Sequence, residues 1–136
     1  MAIDTGHGAT ISFGTQGGTW RATRITPSAE SRPAIDASHL GTTGYREFLP
    51  GDLINAGEFV VEFQFQGNQG LPTRTTAETV TITHALASGE ATAATIAGTA
   101  FVTEAKYPDL NTDELKKGSF TVKWDGYTGP TYTAAT

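Results

Sequence analysis

Glu58-Phe59-Val60-Val61-Glu62-Phe63-Gln64-Phe65-Gln66 decides the fold class. Phe59, Val61, Phe63 and Phe65 fall on one side of an extended chain. Glu58, Glu62, Gln64 and Gln66 fall on the other, interrupted only by Val60. Successive strand side chains point to opposite faces, so this alternation marks a sheet with one dry and one wet face.

Similar patterns lie on both sides of this stretch. In Glu78–Ala85, Val80 and Ile82 face in and the threonines between them face out. In Ser119–Asp125, Phe120, Val122 and Trp124 face in and Thr121, Lys123 and Asp125 face out. Ala91–Tyr107 is a longer strand anchored by Ile96, Phe101, Val102 and Tyr107, with Gly98 as a candidate bulge or bend. Towards the N-terminus, Ala9–Phe13 and Trp20–Ile25 read as two strands joined through Gln16-Gly17-Gly18, and hence as a hairpin with Trp20, Ala22 and Arg24 on one face. The helix expected is short, Asn111–Lys117. There Glu114, three residues after Asn111, resembles a capping box, and Gly118 suits a helix end. The chain of 136 residues is therefore expected to be one all-β domain with minor α content. Six or seven mainly antiparallel strands would form a small sandwich or barrel. The expected core is Phe13, Trp20, Phe59, Val61, Phe63, Val80, Ile82, Phe101, Phe120, Val122 and Trp124.

Residues 26–56 break the pattern. Prolines and glycines interrupt them and no period persists, over a span far beyond the usual connection of roughly 4–6 residues. The segment nonetheless carries Ile35, Leu40, Tyr45, Phe48, Leu49, Leu53 and Ile54, more apolar groups than a disordered linker holds. It is expected to order against another chain. Residues 1–8 read as a flexible arm and 127–136 as a polar, Gly/Pro-punctuated tail.

Composition excludes several functions. Net charge is −5 and no run of Lys or Arg occurs, which argues against tight nucleic-acid binding. With no cysteine, disulfides and thiolate metal sites are excluded. The opening residues lack the basic and apolar stretches of a signal peptide. No apolar run approaches the roughly 20 residues that span a bilayer. His7, His39 and His84 have no metal-ligand spacing, and no nucleotide-binding or nucleophile-elbow motif occurs. Asp36 and His39 could be drawn into a triad with a serine, but nothing positions one. Glu58 and Glu62 lie about 13 Å apart by strand rise, too far for a retaining carboxylate pair. Phe59, Phe63 and Trp124 could stack bases or sugars, but their period of two fits core packing better. No catalytic residue, metal or cofactor is expected.

The stretch from Ile35 to Glu58 resembles the long hairpin of phage tail tube proteins. Asp36-Ala37-Ser38, then Arg46-Glu47-Phe48-Leu49-Pro50-Gly51-Asp52, then Asn55 and Gly57 match its run into an alternating strand. Asp109–Gly126, an acidic turn and a closing strand, is also similar, so the resemblance covers roughly residues 9–126. It is to the major tail tube protein of long-tailed (siphovirus-type) phages or prophages. It implies a sandwich with a short helix, and rings of six copies joined through their sheets and stacked into a tube. The long loop would reach between rings, and the bore would hold DNA and the tape measure protein. On this resemblance Ile35, Asp36, Leu40, Tyr45, Arg46, Glu47, Phe48, Leu49 and Pro50 would lie between subunits, while Glu58, Glu62, Gln64 and Gln66 would face the bore. Other partners would be the tail terminator and baseplate or distal tail proteins, with no membrane. The product would belong to the virion and be made in the host cytoplasm. The helix that the family places after the third strand is weakly signalled in 67–77. A tube subunit of a type VI secretion system, tailocin or gene transfer agent shares this physics. A monomeric Ig-like or carbohydrate-binding module on a virion is the reading from another class.

Overall fold

The computed structural model describes residues 5–16, 20–66, 70–72 and 76–136, and it is all-β. Among the described residues nine strands form in chain order: β1 Thr10–Phe13, β2 Arg21–Pro27, β3 Ala34–Asp36, β4 Phe48–Pro50, β5 Glu58–Gln64, β6 Glu78–Thr83, β7 Thr95–Lys106, β8 Lys117–Trp124 and β9 Thr131–Thr133. Seven of them make one antiparallel sheet in the order β1-β6-β7-β8-β5-β2, with β9 added against β7; β3 and β4 form a separate ribbon.

The sheet curls so that its inner face makes the core. Phe59, Val61 and Phe63 on β5, Val80 and Ile82 on β6, and Phe120, Val122 and Trp124 on β8 are all buried, as their alternation requires. Aromatic rings fill the middle. Trp20 meets Phe63 edge-on at 5.2 Å and Phe120 at 5.4 Å, and Phe13 lies 5.8 Å from Phe120. Phe13 and Trp20 also meet edge-on at 6.3 Å, so the two outermost strands are joined by rings rather than by a ladder.

The expected hairpin of the first two strands does not form. β1 pairs with β6 and β2 pairs with β5, so strands close in sequence lie at opposite ends of the sheet. The Gly17 and Gly18 part of the expected turn lies outside the described residues. The phase of β2 also changes: the register shifts between Ala22 and Arg24, which turns Ala22 and Ile25 inward and Arg24 outward. A bulge of one residue does this by flipping every later side chain.

Phe101 is not a core residue. Ala100 and Val102 are buried, and Phe101 takes the opposite face beside Lys123. Gly98 does not mark a bulge. It is where the chain at Thr128–Pro130 presses against β7, so that an added Cβ would meet the Thr128 carbonyl at 2.7 Å. The register shift in β7 lies further on, between Val102 and Glu104. Residues 131–133 of the expected tail pair with β7 in line with β8, and Thr136 exchanges backbone hydrogen bonds with Thr92.

No helix forms at Asn111–Lys117. The Asn111 side chain accepts hydrogen bonds from the Asp113 and Glu114 amides at 3.0 and 2.9 Å, as a helix cap would. Pairing of Lys106 with Ser119 and of Gln64 with Lys117 draws the chain into β8 before a helix can develop. Asn supports a free-standing turn by the same side-chain bonds. The described residues of 67–77 are not helical, and 67–69 and 73–75 lie outside the description.

Candidate functional site: a protruding arm and a charged sheet face

The segment 26–56 is an antiparallel ribbon rather than an irregular loop. Ala34 pairs with Pro50, Ile35 with Leu49 and Asp36 with Phe48. Ser31 and Asn55 form a bridge nearer the body. At its root the Ser28 amide donates to the Glu58 carbonyl, and Ser28 Oγ accepts from the Glu58 amide at 3.0 Å. Gly57 sits there at φ +82°, a conformation that L side chains rarely adopt, with Ser28 Oγ against the place a Cβ would occupy. The prolines and glycines that hid the period mark this root and the ribbon's ends.

At the tip, Asp36 accepts from the Ser38 amide at 2.9 Å and pairs with Arg46 at 3.0 Å. The Ser38 bonds, with a smaller contribution from Arg46, hold the Asp36 carboxyl below its ordinary range. Both partners are exposed, so the pair shapes the turn more than it stabilises the protein. Glu47 lies beside it on the ribbon, with no ion pair among the described residues.

The apolar side chains of the arm have no cover. Ile35 and Leu49 face one way and Phe48 the other, all more than half exposed, and Leu40 and Tyr45 at the tip are almost fully so. Two-stranded ribbons are marginal alone in water, and monomers rarely leave such contiguous apolar surface open. The expected inter-subunit residues Ile35 to Pro50 are thus brought together on one exposed element.

The expected bore-facing residues lie on the outer face of the sheet. Glu58 and Glu62 are exposed on β5; Gln64 ends the strand half-buried, and Gln66 lies beyond it. Register adds neighbours that sequence order concealed. Glu62 sits between Arg24 and Ser119, Glu58 beside Lys123, and Gln64 between Arg21 and Lys117. Glu104 and Lys106 of β7 continue the rows. Among the described residues, five Lys and Arg therefore share one sheet face with three strand carboxylates, on a chain of net charge −5. No linear run announced this set, although the outward phase of Lys123 in β8 was readable; Lys117 was expected to end a helix.

His39 donates nothing to Asp36: its Nδ1 accepts from the Gly41 amide at 3.0 Å, so the triad drawing has no geometry. Among the described residues no group of His, Asp and Glu is placed to hold a metal, and no helix is long and apolar enough to cross a membrane.

No family model and no curated protein matches the chain by sequence. Solved structures match it by shape over nearly its whole length. A chain from the extracellular contractile injection system PVC, in the structure of its sheath/tube terminator in the extended state, superposes with TM-score 0.73 at 13% identity, covering 98% of this chain and 99% of that one. A chain of the native gene transfer agent virion gives 0.62 at 16% identity, covering 97% and 100%. Hcp1 from Flavobacterium johnsoniae gives 0.58 at 13% identity, covering 93% and 98%. At such identities the likeness establishes a shared fold.

Proposed function

We propose that the chain is a structural subunit of a tail tube, assembling with copies of itself into stacked rings around a conduit. The observation that carries this is the arm: an apolar ribbon with both faces bare, on a body whose own core is already packed. The full-length likeness to chains of a contractile injection system and a gene transfer agent supports it.

In this reading six copies close each ring through their sheets, which removes the free edges of β1 and β2. The arm residues Ile35, Asp36, Leu40, Tyr45, Arg46, Glu47, Phe48, Leu49 and Pro50 bind neighbouring copies. Glu58, Glu62, Gln64 and Gln66 face the bore. The mixed charge beside them keeps the wall wetted without a single-sign field that would hold DNA. Its other partners are the tape measure protein, the tail terminator and baseplate or distal tail proteins, and its role is not enzymatic. Long-tailed phages, contractile injection systems and gene transfer agents all use such a conduit, so the subunit role is the part common to the sequence resemblance and the solved neighbours.

The test is electron microscopy with sedimentation of purified, concentrated protein. Rings or tubes of uniform bore are expected. A population that stays monomeric at every concentration removes the reading and favours a virion-surface binding module.

A further inference from the structure

The arm's apolar side chains are exposed, and the body has an apolar recess that none of the described residues fills. Where β2 passes the ends of β6 and β7, a cleft of about 650 Å³ opens, walled by Ala22, Ile25, Ile82 and Ile96. Its volume falls within the range, roughly 300–1,000 Å³, of pockets that enclose compact apolar groups. His84 and Arg24 lie at its margin, and none of its lining residues is a carboxylate. No residue of the ribbon β3–β4 lines it, so the arm of the same copy stays outside.

We propose that this cleft receives the arm of a second copy, with Ile35 and Leu49, which share one face of the ribbon, entering between Ile25 and Ile82 and with Glu47, on the same side as Leu49, facing Arg24. Two features of the chain select a second copy over a foreign partner. The first is shape: one molecule carries both an apolar protrusion and an apolar recess at different places, a head-to-tail complement that closes into rings or runs on as filaments. The second is charge. Glu47, two residues before Leu49, has no ion pair among the described residues, and Arg24 at the cleft margin, which stands across the ladder from Glu62, forms none among them either. Docking brings these opposite charges together at the edge of an apolar contact, where they set register and orientation.

The inference rests on the arm being an inter-copy element, and it adds the surface that receives it. Because the chain has no cysteine, single cysteines report contacts without background. Leu49→Cys and Ala22→Cys variants are prepared separately, mixed and oxidised under assembling conditions. A covalent dimer is expected in the mixture and not in either variant alone. Thr23→Cys, an exposed position on the same wall, replaces Ala22→Cys if that variant fails to fold. In parallel, Arg24→Glu should weaken association and Glu47→Arg in the same chain should restore it. Leu49→Ala should weaken it roughly tenfold or more, as truncation of a buried interface anchor does. Rings that form without the cross-link, or without rescue by charge reversal, overturn the cleft as receptor and leave the tube role standing. Wild-type protein that never associates overturns both.

Discussion

Truncating two phenylalanines to alanine, one in the body and one in the arm, should have effects that differ severalfold in an unassociated molecule. Phe120 is 1% exposed, with ring centroids 5.8 Å from Phe13, 5.4 Å from Trp20 and 5.5 Å from Phe63. Removing it opens a cavity at the centre of the aromatic cluster, a change that costs about 3–5 kcal/mol. Unfolding entropy of about 2.1 cal/mol/K per residue gives about 0.29 kcal/mol/K for 136 residues, so Tm should fall by about 10–17 °C. Phe48 is 57% exposed and lies on a ribbon separate from the sheet. Its truncation belongs with surface changes of about 0.5 kcal/mol or less, a shift of about 2 °C at most. The assay is thermal unfolding followed by circular dichroism, at a dilution where sedimentation shows monomers. Equal losses for both variants in the monomer would mean that the arm belongs to the body's fold, and the inference that it exists for other copies would fail.

Four further outcomes follow from the same geometry. Deleting residues 30–50 should leave a folded body that no longer forms rings, and tubes made by the deleted form would remove the arm from assembly. Asp36 should titrate below the ordinary 3.8, read by carboxyl chemical shift. Because its folded pKa is lowered, its contribution to arm order is present above the unfolded value and lost as pH falls through the folded one, so Ser38 amide protection should decline in that window and not at neutral pH. Gly98→Val should displace the Thr128–Pro130 crossing, speeding amide exchange at Thr99 and Thr131–Thr133 before the rest of the sheet is affected. Glu58→Lys combined with Glu62→Lys moves the outer face by four charges and should make assembled protein retain DNA at low salt, an effect that added salt removes; unchanged retention counts against the bore assignment.

Legibility in the sequence tracked how far a residue's position depends on its immediate neighbours. β5, β6 and β8 were readable because each buries one face along its whole length, so the period of two survives in the residue types. β2 lost its phase because the bulge after Ala22 leaves no mark in composition. In β7 the smaller side chains are the buried ones: Gly98 lies against the Trp124 ring and the returning chain at Thr128–Pro130, Ala100 and Val102 pair with Trp124 and Val122, and Phe101 takes the outer face. Ile11 was missed because β1 has only four residues in which to show an alternation. Pairing of β1 with β6 depends on contacts some seventy residues apart, as in Thr10 with Thr83, and no local pattern encodes it. The arm residues were found through their apolar excess and the motif from Asp36 to Gly57. The cations that share a face with Glu58 and Glu62 come from three other strands, and only the register of those strands reveals them.

The curled sheet has a seam. β1 and β2 face each other across it through the rings of Phe13 and Trp20, with no backbone ladder between them. A cylinder hydrogen-bonded all the way round changes girth only by breaking bonds. One slit along its length has no such ladder and is held by an edge-on ring contact instead. In the proposed tube, a subunit cut this way takes up small differences in curvature between one neighbour and the next without breaking a ladder bond.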